Sequence, residues 1–330
     1  MKRYRMILLL VSITLSCVSI PALTTSPTPV SRQNSLPADT VKLSPTADAW
    51  PPVSAAGWSQ PQPLDAPINT AGGEDSPFIP VDGSALYFFF TPDVRVPAEE
   101  QLNDGVTGIW VADKIEEGWE APKRVILASG DELHLDGCPF VLGDWMLFCS
   151  VRESTAGEIR WFSAQRVDSV WADWQDWSGE IDPAYQVGEL HISADGNELY
   201  FGSERPGGYG GFDIWMSLKT DQGWGAPINL GTGVNSAADE NRPFLTADGA
   251  ALWFDATTRS GAYYPGPAVF RSERQPDGTW DTAQEIVSQF AGEPVLSPNG
   301  NTLYFVHHYF NEDLSQMLEA DIYVSHRIIP

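Results

Sequence analysis

The sequence is poor in basic residues. Of its 330 residues, 19 are Lys or Arg and 44 are Asp or Glu, so the formal net charge is −25 at pH 7. A chain this acidic repels nucleic acid and anionic membrane surfaces, and it contains no basic stripe that would attract them. We therefore expect its partners to be cations, sugars or basic protein patches.

The motifs of common enzyme classes are also missing. There is no GxSxG sequence, and no Ser-His-Asp order, nucleophile elbow or catalytic cysteine is supported. The glycine-rich stretch GGYGG, residues 207–211, lies between two predicted strands and lacks the lysine of a phosphate-binding loop. We interpret this stretch as a turn.

Long apolar runs are absent after the N-terminus. MILLLVSITL follows the basic MKRYR, is short for a membrane span, and predicts an export signal over residues 1–22. Cleavage before Cys17, where LSC resembles a bacterial lipobox, would leave a lipid anchor; the alternative is ordinary cleavage near Ala22. Residues 23–56 are rich in Pro, Ser and Thr and predict a linker that does not pack.

Cysteine is scarce, with three residues in the chain. Cys138 and Cys149 flank the predicted hairpin PFVLGDWMLF, so they could face each other across it. An oxidising compartment permits a disulfide between them. Two buried free thiols are the open alternative.

Helical periodicity is scarce after residue 55, and a repeated β-pattern takes its place. The copies begin DSPFIPVDGSALYFF, GCPFVLGDWMLFC, ELHISADGNELYFG, NRPFLTADGAALWFD and GEPVLSPNGNTLYFV. Pro77, Pro139, His191, Pro243 and Pro294 share one column, with spacings of 62, 52, 52 and 51 residues. Asp-Gly or Asn-Gly in four copies predicts a tight hairpin between the first two strands.

A tryptophan marks the fourth strand of the first four copies, and the fifth copy ends before such a strand. Trp58 lies ahead of the first copy and can supply the missing strand. We therefore predict an all-β, five-bladed β-propeller of four-stranded antiparallel blades over residues 57–330. An N-terminal strand would complete the last blade, which leaves no unpaired edge.

The third copy, SADGNELYFGSERPGGYGGFDIW at residues 193–215, resembles the WD-like β-propeller repeat of the TolB type. Copies one, four and five match it in part, and copy two is eroded. The resemblance implies the fold and an exported bacterial protein. It says little about function, because propellers host enzymes, binding proteins and scaffolds alike.

Acidic residues recur where each first strand begins. They are Glu74, Asp75, Asp136, Glu189, Asp239, Glu240 and Glu293. Innermost strands line a propeller's channel, so we expect these carboxylates to converge at one mouth, with raised pKa values or a bound cation such as Ca²⁺. The alternative is that they hydrogen-bond to neighbouring blades. The candidate ligand-binding residues are Asp75, Asp136, Glu189, His191, Glu240, Arg242 and Glu293.

Three of these acids also match another pattern. Five-bladed glycoside hydrolases carry Asp, Asp and Glu on their first three inner strands. Resemblance to those enzymes would make Asp75 the general base, Asp136 the orienting carboxylate and Glu189 the general acid. Acids occur in all five copies, so the match of residue types is weakly specific.

Histidines offer two weaker hypotheses. His134, His191 and Glu189 could together bind a metal, although their spacing is not a zinc signature. His307 and His308 follow an apolar strand, and we expect them to form an exposed pair that faces a ligand.

The leading interpretation is an exported, non-catalytic propeller that binds a protein or carbohydrate at the cell envelope through one face and an acidic channel mouth. Loops between the second and third strands vary among the copies, as binding loops on a fixed frame do. We expect a monomer without a dedicated cofactor, in contact with the membrane only through lipid at Cys17. The alternatives are a glycan hydrolase and a scaffold without a small ligand.

Overall fold

The computed structural model shows an all-β protein. It describes residues 31–97, 100–101, 104–128, 134–152, 155, 158–180, 185, 187–260, 262 and 264–329. Helical structure in this part of the chain is limited to short turns, among them α1 (Arg32–Ser35) and the 3₁₀ turns Pro45–Ala47 and Ser178–Glu180. No helix of the described residues is long and apolar enough to cross a membrane. The all-β prediction is confirmed.

Two short strands come first, Val53–Ser54 (β1) and Gln62–Pro63 (β2), and five antiparallel meanders follow. The first meander contains Gly73–Phe78 (β3), Ala85–Thr91 (β4), Gly108–Ile115 (β5), Gly118–Trp119 (β6) and Lys123–Arg124 (β7). The second contains His134–Leu142 (β8), Trp145–Arg152 (β9), Ile159–Val167 (β10) and Val170–Asp176 (β11), and the third contains Val187–Ile192 (β12), Glu198–Ser203 (β13), Asp213–Thr220 (β14), Gly223–Trp224 (β15) and Ile228–Asn229 (β16). The fourth contains Glu240–Leu245 (β17), Ala251–Ala256 (β18), Ala268–Glu273 (β19) and Gln284–Ser288 (β20), and the fifth contains Ala291–Leu296 (β21), Thr302–Phe310 (β22) and Met317–His326 (β23).

A tight turn joins the first two strands of each meander. Each turn contains a glycine with φ between +61° and +77°, a conformation that residues with a Cβ rarely adopt. These glycines are Gly83, Gly143, Gly196, Gly249 and Gly300. Turn chemistry thus fixes the hairpins that the sequence predicts.

The first strands of the meanders lie innermost. β3 packs against β8, β8 against β12, β12 against β17, β17 against β21 and β21 against β3. Each of these strands also contains a β-bulge beside the shared proline column. Sheets that pack around a common axis in this way form a β-propeller. The alignment of His191 with the prolines is wrong by one residue, because His191 pairs with Tyr200 as Phe244 pairs with Trp253, so that Leu190 stands in the proline column.

The segment before the first meander adds strands to the last two. β2 pairs with β23 through Gln62 and Val324, and Trp58 forms an isolated bridge with Arg327. β1 pairs with β20, the last strand of the fourth meander. The segment of β1 and β2 thus pairs with strands more than 200 residues later in the sequence.

Residues 31–48, which we call the strap, pack against the first and fifth meanders. Arg32 keeps 6% of its exposure, and its Nη1 donates a hydrogen bond of 2.9 Å to Glu74 Oε1. Lys42 pairs with two buried carboxylates of β23. The strap is thus held by cations placed in acidic surroundings.

The prediction that residues 23–56 form an unpacked linker is therefore wrong for residues 31–56. Buried carboxylates of the sheets need cations, and this requirement outweighs the flexibility of a segment rich in Pro, Ser and Thr. Residues 23–30, the predicted export signal and Cys17 lie outside the described residues.

A disulfide joins β8 and β9. Cys138 and Cys149 form it with their Cα atoms 5.4 Å apart. Cys138 is the bulge residue of β8, with a φ of +53°. Of the two alternatives left open by the sequence, the structure has the bonded one, which pins the bulge to the adjacent strand.

The glycine-rich stretch 207–211 is the loop between β13 and β14. Asp213 anchors it, because its two carboxylate oxygens accept hydrogen bonds from the amides of Tyr209, at 2.7 Å, and Gly210, at 3.3 Å. A Cβ at Gly210 would lie 2.0 Å from the carbonyl oxygen of Ala238, just before β17. The glycine therefore permits direct backbone contact between neighbouring meanders.

Replacing Gly210 by Ala is expected to destabilise the protein by about 1–3 kcal/mol, because one backbone segment must move away from the other. Thermal unfolding gives the stability, and hydrogen exchange locates the loosened contact at residues 236–239. Gly179→Ala is the matched control, since a Cβ there would meet nothing within 4 Å. Equal melting temperatures for the two variants would contradict this account of the loop.

Candidate functional site

Five charged side chains meet on the axis of the propeller, and we call them the channel cluster: Asp75, Glu189, Arg242, Asp255 and Glu293. Four of them lie at or beside the bulges of the first strands, and Asp255 lies in β18. Arg242 and Glu293 adopt φ values of +52° and +57° there. A bulge re-aims side chains locally, and here it directs them to the axis.

Arg242 is the central cation. Its Nε lies 2.7 Å from Glu293 Oε1 and 3.5 Å from Glu189 Oε1. Its Nη1 lies 3.3 Å from Asp255 Oδ2. With all four carboxylates ionised, one guanidinium would leave three negative charges in excess. The cluster therefore needs bound protons or further positive charge to approach neutrality.

Ser76 links three of the carboxylates. Its amide donates hydrogen bonds of 2.6 Å to Glu293 Oε2 and 3.0 Å to Asp75 Oδ1, and its hydroxyl donates one of 3.1 Å to Glu189 Oε1. The amide of Glu293 in turn donates 2.8 Å to Asp255 Oδ2. These bonds hold the carboxylates at short range although their charges repel.

The cluster resolves this repulsion by retaining protons. Burial raises the pKa of Glu189 to about 7, with Arg242 opposing the shift and Asp75 adding to it. Burial and the Asp75 charge also raise the pKa of Glu293 well above its ordinary value. Burial opposes ionisation of Asp75, yet its hydrogen bond with Glu293 and nearby cations lower its pKa overall. Glu293 thus holds a proton against an ionised Asp75.

Aromatic rings close the channel on one side of the cluster. The His191 ring centroid lies 4.9 Å from that of Phe244, 5.1 Å from that of Phe140 and 6.3 Å from that of Phe78. Burial lowers the pKa of His191 to about 3, so the imidazole is neutral. These rings form an apolar floor, and beyond them the opposite face opens into a basin of about 730 Å³.

The channel is narrow at the cluster and wider at the other mouth. A cavity of about 30 Å³ lies beside Ser76, Glu189 and Glu293. A pocket of about 360 Å³, which we call the acidic mouth, is lined by Asp75, His308 and Arg95 together with Thr91 and apolar residues. Burial lowers the pKa of His308, so the charged groups of this pocket are Asp75 and Arg95. The Arg95 guanidinium is already paired with Asp39 and Asp93, which leaves Asp75 as the carboxylate open to a cation.

Other predicted site residues lie outside the cluster. Asp136 is fully buried and accepts hydrogen bonds from Ser150, at 2.7 Å, and Arg152, at 3.4 Å. Glu240 is equally buried and pairs with Arg259 at 2.9 Å. The expectation that all the acids meet at one mouth is therefore wrong. The acids three residues before the shared proline column, Glu74, Asp136 and Glu240, point into their own sheets. The acids one or two residues before that column, Asp75, Glu189 and Glu293, face the channel.

Asp239 and the histidines also depart from expectation. Asp239 is exposed and accepts the Phe212 amide at 3.0 Å. His307 is buried, with Nε2 2.7 Å from Asp48 Oδ2, so the histidine pair is not exposed as predicted. The strap covers it.

The predicted metal ligands do not come together. His134 Nδ1 lies 2.6 Å from Asp136 Oδ2, His191 lies among the aromatic rings, and Glu189 faces Arg242. Within the described part of the chain, no group of three or more His, Cys, Asp or Glu residues is arranged to hold a metal ion.

Sequence reasoning missed Asp255, Ser76 and the role of His308. A signal for Asp255 existed in the repeat, because the equivalent positions of the other copies hold uncharged residues: Phe89, Cys149, Gly202 and Val306. An acid in a column of uncharged residues marks a departure from the repeat. Ser76 carries no comparable signal, since its role depends on the bulge.

Comparisons with known proteins find solved structures of low similarity only. No family model and no curated protein sequence matches the chain. A putative TolB from Agrobacterium tumefaciens is 16% identical over 75% of this chain and 73% of its own, with a TM-score of 0.43. The β-xylosidase RS223 is 13% identical over 80% and 94%, with a TM-score of 0.48. An α-L-arabinofuranosidase from Coprinopsis cinerea is 9% identical over 81% and 95%, with a TM-score of 0.47. At these values the likenesses identify neither a ligand nor a reaction.

Replacing Arg242 by Gln is expected to destabilise the protein most at alkaline pH. The raised pKa of Glu189, about 7, means that the folded protein holds this proton more tightly than the unfolded chain does. Its contribution to stability is complete below about 4.5 and is lost as the pH rises through 7. Without the guanidinium, we expect a loss of about 3 kcal/mol at pH 8 and a smaller loss at pH 5.

Denaturant unfolding at pH 5, 6, 7 and 8 measures this difference. Arg160→Gln is the control, because Arg160 makes exposed pairs with Glu158 and Asp176 that contribute at most about 1 kcal/mol. A loss at Arg242 that does not change with pH would contradict the proton-holding cluster.

Proposed function

We propose that the protein is an exported, five-bladed β-propeller of TolB-type repeats, closed by its own N-terminal strand. The ring of contacts among the five first strands and the pairing of β2 with β23 support the closed form. The basic and apolar N-terminus supports export, with cleavage before Cys17 or near Ala22. The chain then acts as a monomer in the periplasm or at the cell surface, lipid-anchored if Cys17 is modified.

Its function, in this proposal, is to bind a cationic group of a protein or glycan at the acidic mouth without chemical change. The observation that carries the proposal is the channel cluster, in which four carboxylates surround one arginine. A cation entering from the mouth would meet Asp75 first, the carboxylate whose pKa is lowered. Low-dielectric walls strengthen this attraction.

The dimensions of the channel limit the ligand. The acidic mouth of about 360 Å³ admits an aliphatic side chain between Val94 and Met317. The inner cavity of about 30 Å³ holds roughly one water-sized group. A primary ammonium on a flexible chain fits both dimensions, as does a bare cation such as Ca²⁺, which carboxylate oxygens bind well.

Binding is expected to need Asp75 and to strengthen with pH. Calorimetry would compare a lysine peptide with its Nε-acetylated form, a glucosamine oligomer with its N-acetylated form, and Ca²⁺ alone. We expect the free amines to bind, and Asp75→Asn to weaken them about tenfold, which corresponds to about 1.4 kcal/mol. Affinity should fall from pH 8 to pH 6 as Glu189 takes up its proton, since its pKa is about 7.

Asp144→Asn is the matched control, because Asp144 is 78% exposed and lies in the β8–β9 turn. Binding of Ca²⁺ alone would narrow the site to a metal ion. Equal binding of the acetylated and free amines would contradict recognition of a cation. If neither the amines nor Ca²⁺ bound, the result would favour a scaffold without a small ligand.

A second candidate is glycan hydrolysis, favoured by one observation. Glu189 has a pKa of about 7 and lies across Ser76 from an ionised Asp75, which suits a general acid beside a base. Asp136 cannot serve as the orienting carboxylate at this position, because it is buried against Arg152. The small inner cavity also leaves little room for a sugar ring beside Glu189.

A panel of chromogenic and natural glycosides separates the two candidates. Turnover by the wild-type protein that is lost in Glu189→Gln would establish hydrolysis and reject a function of binding alone. We expect no turnover by either protein, together with amine binding by the wild type. Asp136→Asn serves as the control, since it should change stability and leave the channel chemistry intact.

A further inference from the structure

Three meanders carry an arginine at or just after the end of their second strand. Arg152, Arg205 and Arg259 each place the guanidinium carbon between 4.3 and 5.6 Å from two ring centroids. The two rings belong to residues directly opposite each other on the second and third strands. These ring pairs are Phe148 with Phe162, Phe201 with Trp215, and Phe254 with Phe270.

The first and fifth meanders keep the aromatic pair and lack the arginine. Their pairs are Phe88 with Trp110 and Phe305 with Tyr323. Counted from the first ring of each pair, the column of Arg152 and Arg205 holds Pro92 in the first meander and Tyr309 in the fifth.

Arg32 of the strap fills the vacant position in the first meander. Its guanidinium carbon lies 4.9 Å from the ring centroid of Phe88 and 5.6 Å from that of Trp110. Its Nη1 donates hydrogen bonds of 2.8 Å to the carbonyl of Ile68 and 2.9 Å to Glu74 Oε1. The guanidinium therefore contacts aromatic rings, a backbone carbonyl and a carboxylate, as do those of Arg152 and Arg259.

Arg32 and Arg259 of the fourth meander also bind equivalent hydrogen-bond acceptors. Arg259 donates from Nη2 to the carbonyl of Val234 and to Glu240 Oε1. Val234 and Ile68 each lie six residues before the acid that the arginine binds. The asparagine after each of them, Asn235 or Asn69, donates a 2.9 Å hydrogen bond to a third-strand carbonyl of the preceding meander.

Lys42 serves the fifth meander. It pairs with Glu319 and Asp321, which are 1% and 0% exposed, and its ammonium lies 5.9 Å from the Tyr309 ring centroid. The amide of Leu43 donates a 3.0 Å hydrogen bond to Glu319 Oε2. In this meander the acids lie on the third strand, so the cation enters from outside the sheet.

We propose that the strap is an intramolecular ligand. Its Arg32 and Lys42 occupy two acidic sockets of the propeller, and Arg32 takes the place of the arginine that the first meander lacks. The sockets form a binding site for an extended segment with an arginine and a lysine ten residues apart, and residues 31–48 of the same chain occupy it. This site is separate from the channel cluster and does not depend on the function proposed above.

The sockets need their occupant. Glu74, Glu319 and Asp321 are at most 1% exposed, and a buried carboxylate without a partner is strongly unfavourable. Asp48 adds a third contact through the buried His307. Removal of the strap would therefore leave uncompensated groups in the first and fifth meanders.

The test uses the full exported chain with a specific protease site inserted after Pro51, between the strap and β1. After cleavage, we expect the strap fragment to co-elute with the propeller in size-exclusion chromatography at low ionic strength. Arg32→Gln combined with Lys42→Gln should release it. In the uncut chain, the same double substitution should lower the melting temperature by several degrees.

Arg160→Gln combined with Lys123→Gln is the matched control, because the ion pairs that the described residues give these two side chains are all exposed. This variant should retain the strap. Release of the wild-type strap as readily as the doubly substituted one would overturn the proposal. So would exchange of the strap between differently tagged copies into stable dimers, since the site would then accept a second chain. Circular dichroism of each variant checks that the propeller remains folded.

Discussion

The pairing of buried carboxylates with a small number of cations underlies this structure. Acids outnumber Lys and Arg by 44 to 19, and several interior cations neutralise carboxylates that cannot reach water. Arg152 and Arg259 neutralise acids inside their own sheets, Arg242 serves the axis, and Arg32 comes from a distant segment. Where cations do not suffice, as at Glu293, a proton takes their place.

The sequence predicted the parts of the fold that local chemistry decides. Asp-Gly and Asn-Gly dipeptides identified the hairpins, and the repeat identified the order of the strands. The directions of the acidic side chains could not be predicted, because one bulge residue decides whether Asp75 or Glu74 faces the channel. Side chains alternate between the two faces only in a strand without a bulge, so the alternation rule does not give the directions of these acids.

The strap was missed for a related reason. Its composition is typical of a linker, and two cations among prolines and serines carry no local signal. Their importance arises from Glu74 and Asp321, which lie far away in the sequence. Comparison of the copies offered an indirect clue, since two of them lack the arginine that the other three possess. A missing residue in a repeat can therefore indicate that another segment supplies it.

The contacts of the strap and β2 with β23 also have a consequence for the order of folding. Lys42 is made early, yet its partners lie 277 and 279 residues later, and β2 must wait for β23. Contacts this distant in sequence form slowly, because the entropy of closing a long loop is lost before the contacts can stabilise the chain. During synthesis the strap has no completed site until nearly the last strand has emerged. The strap therefore stays without its acidic partners until β23 has been made.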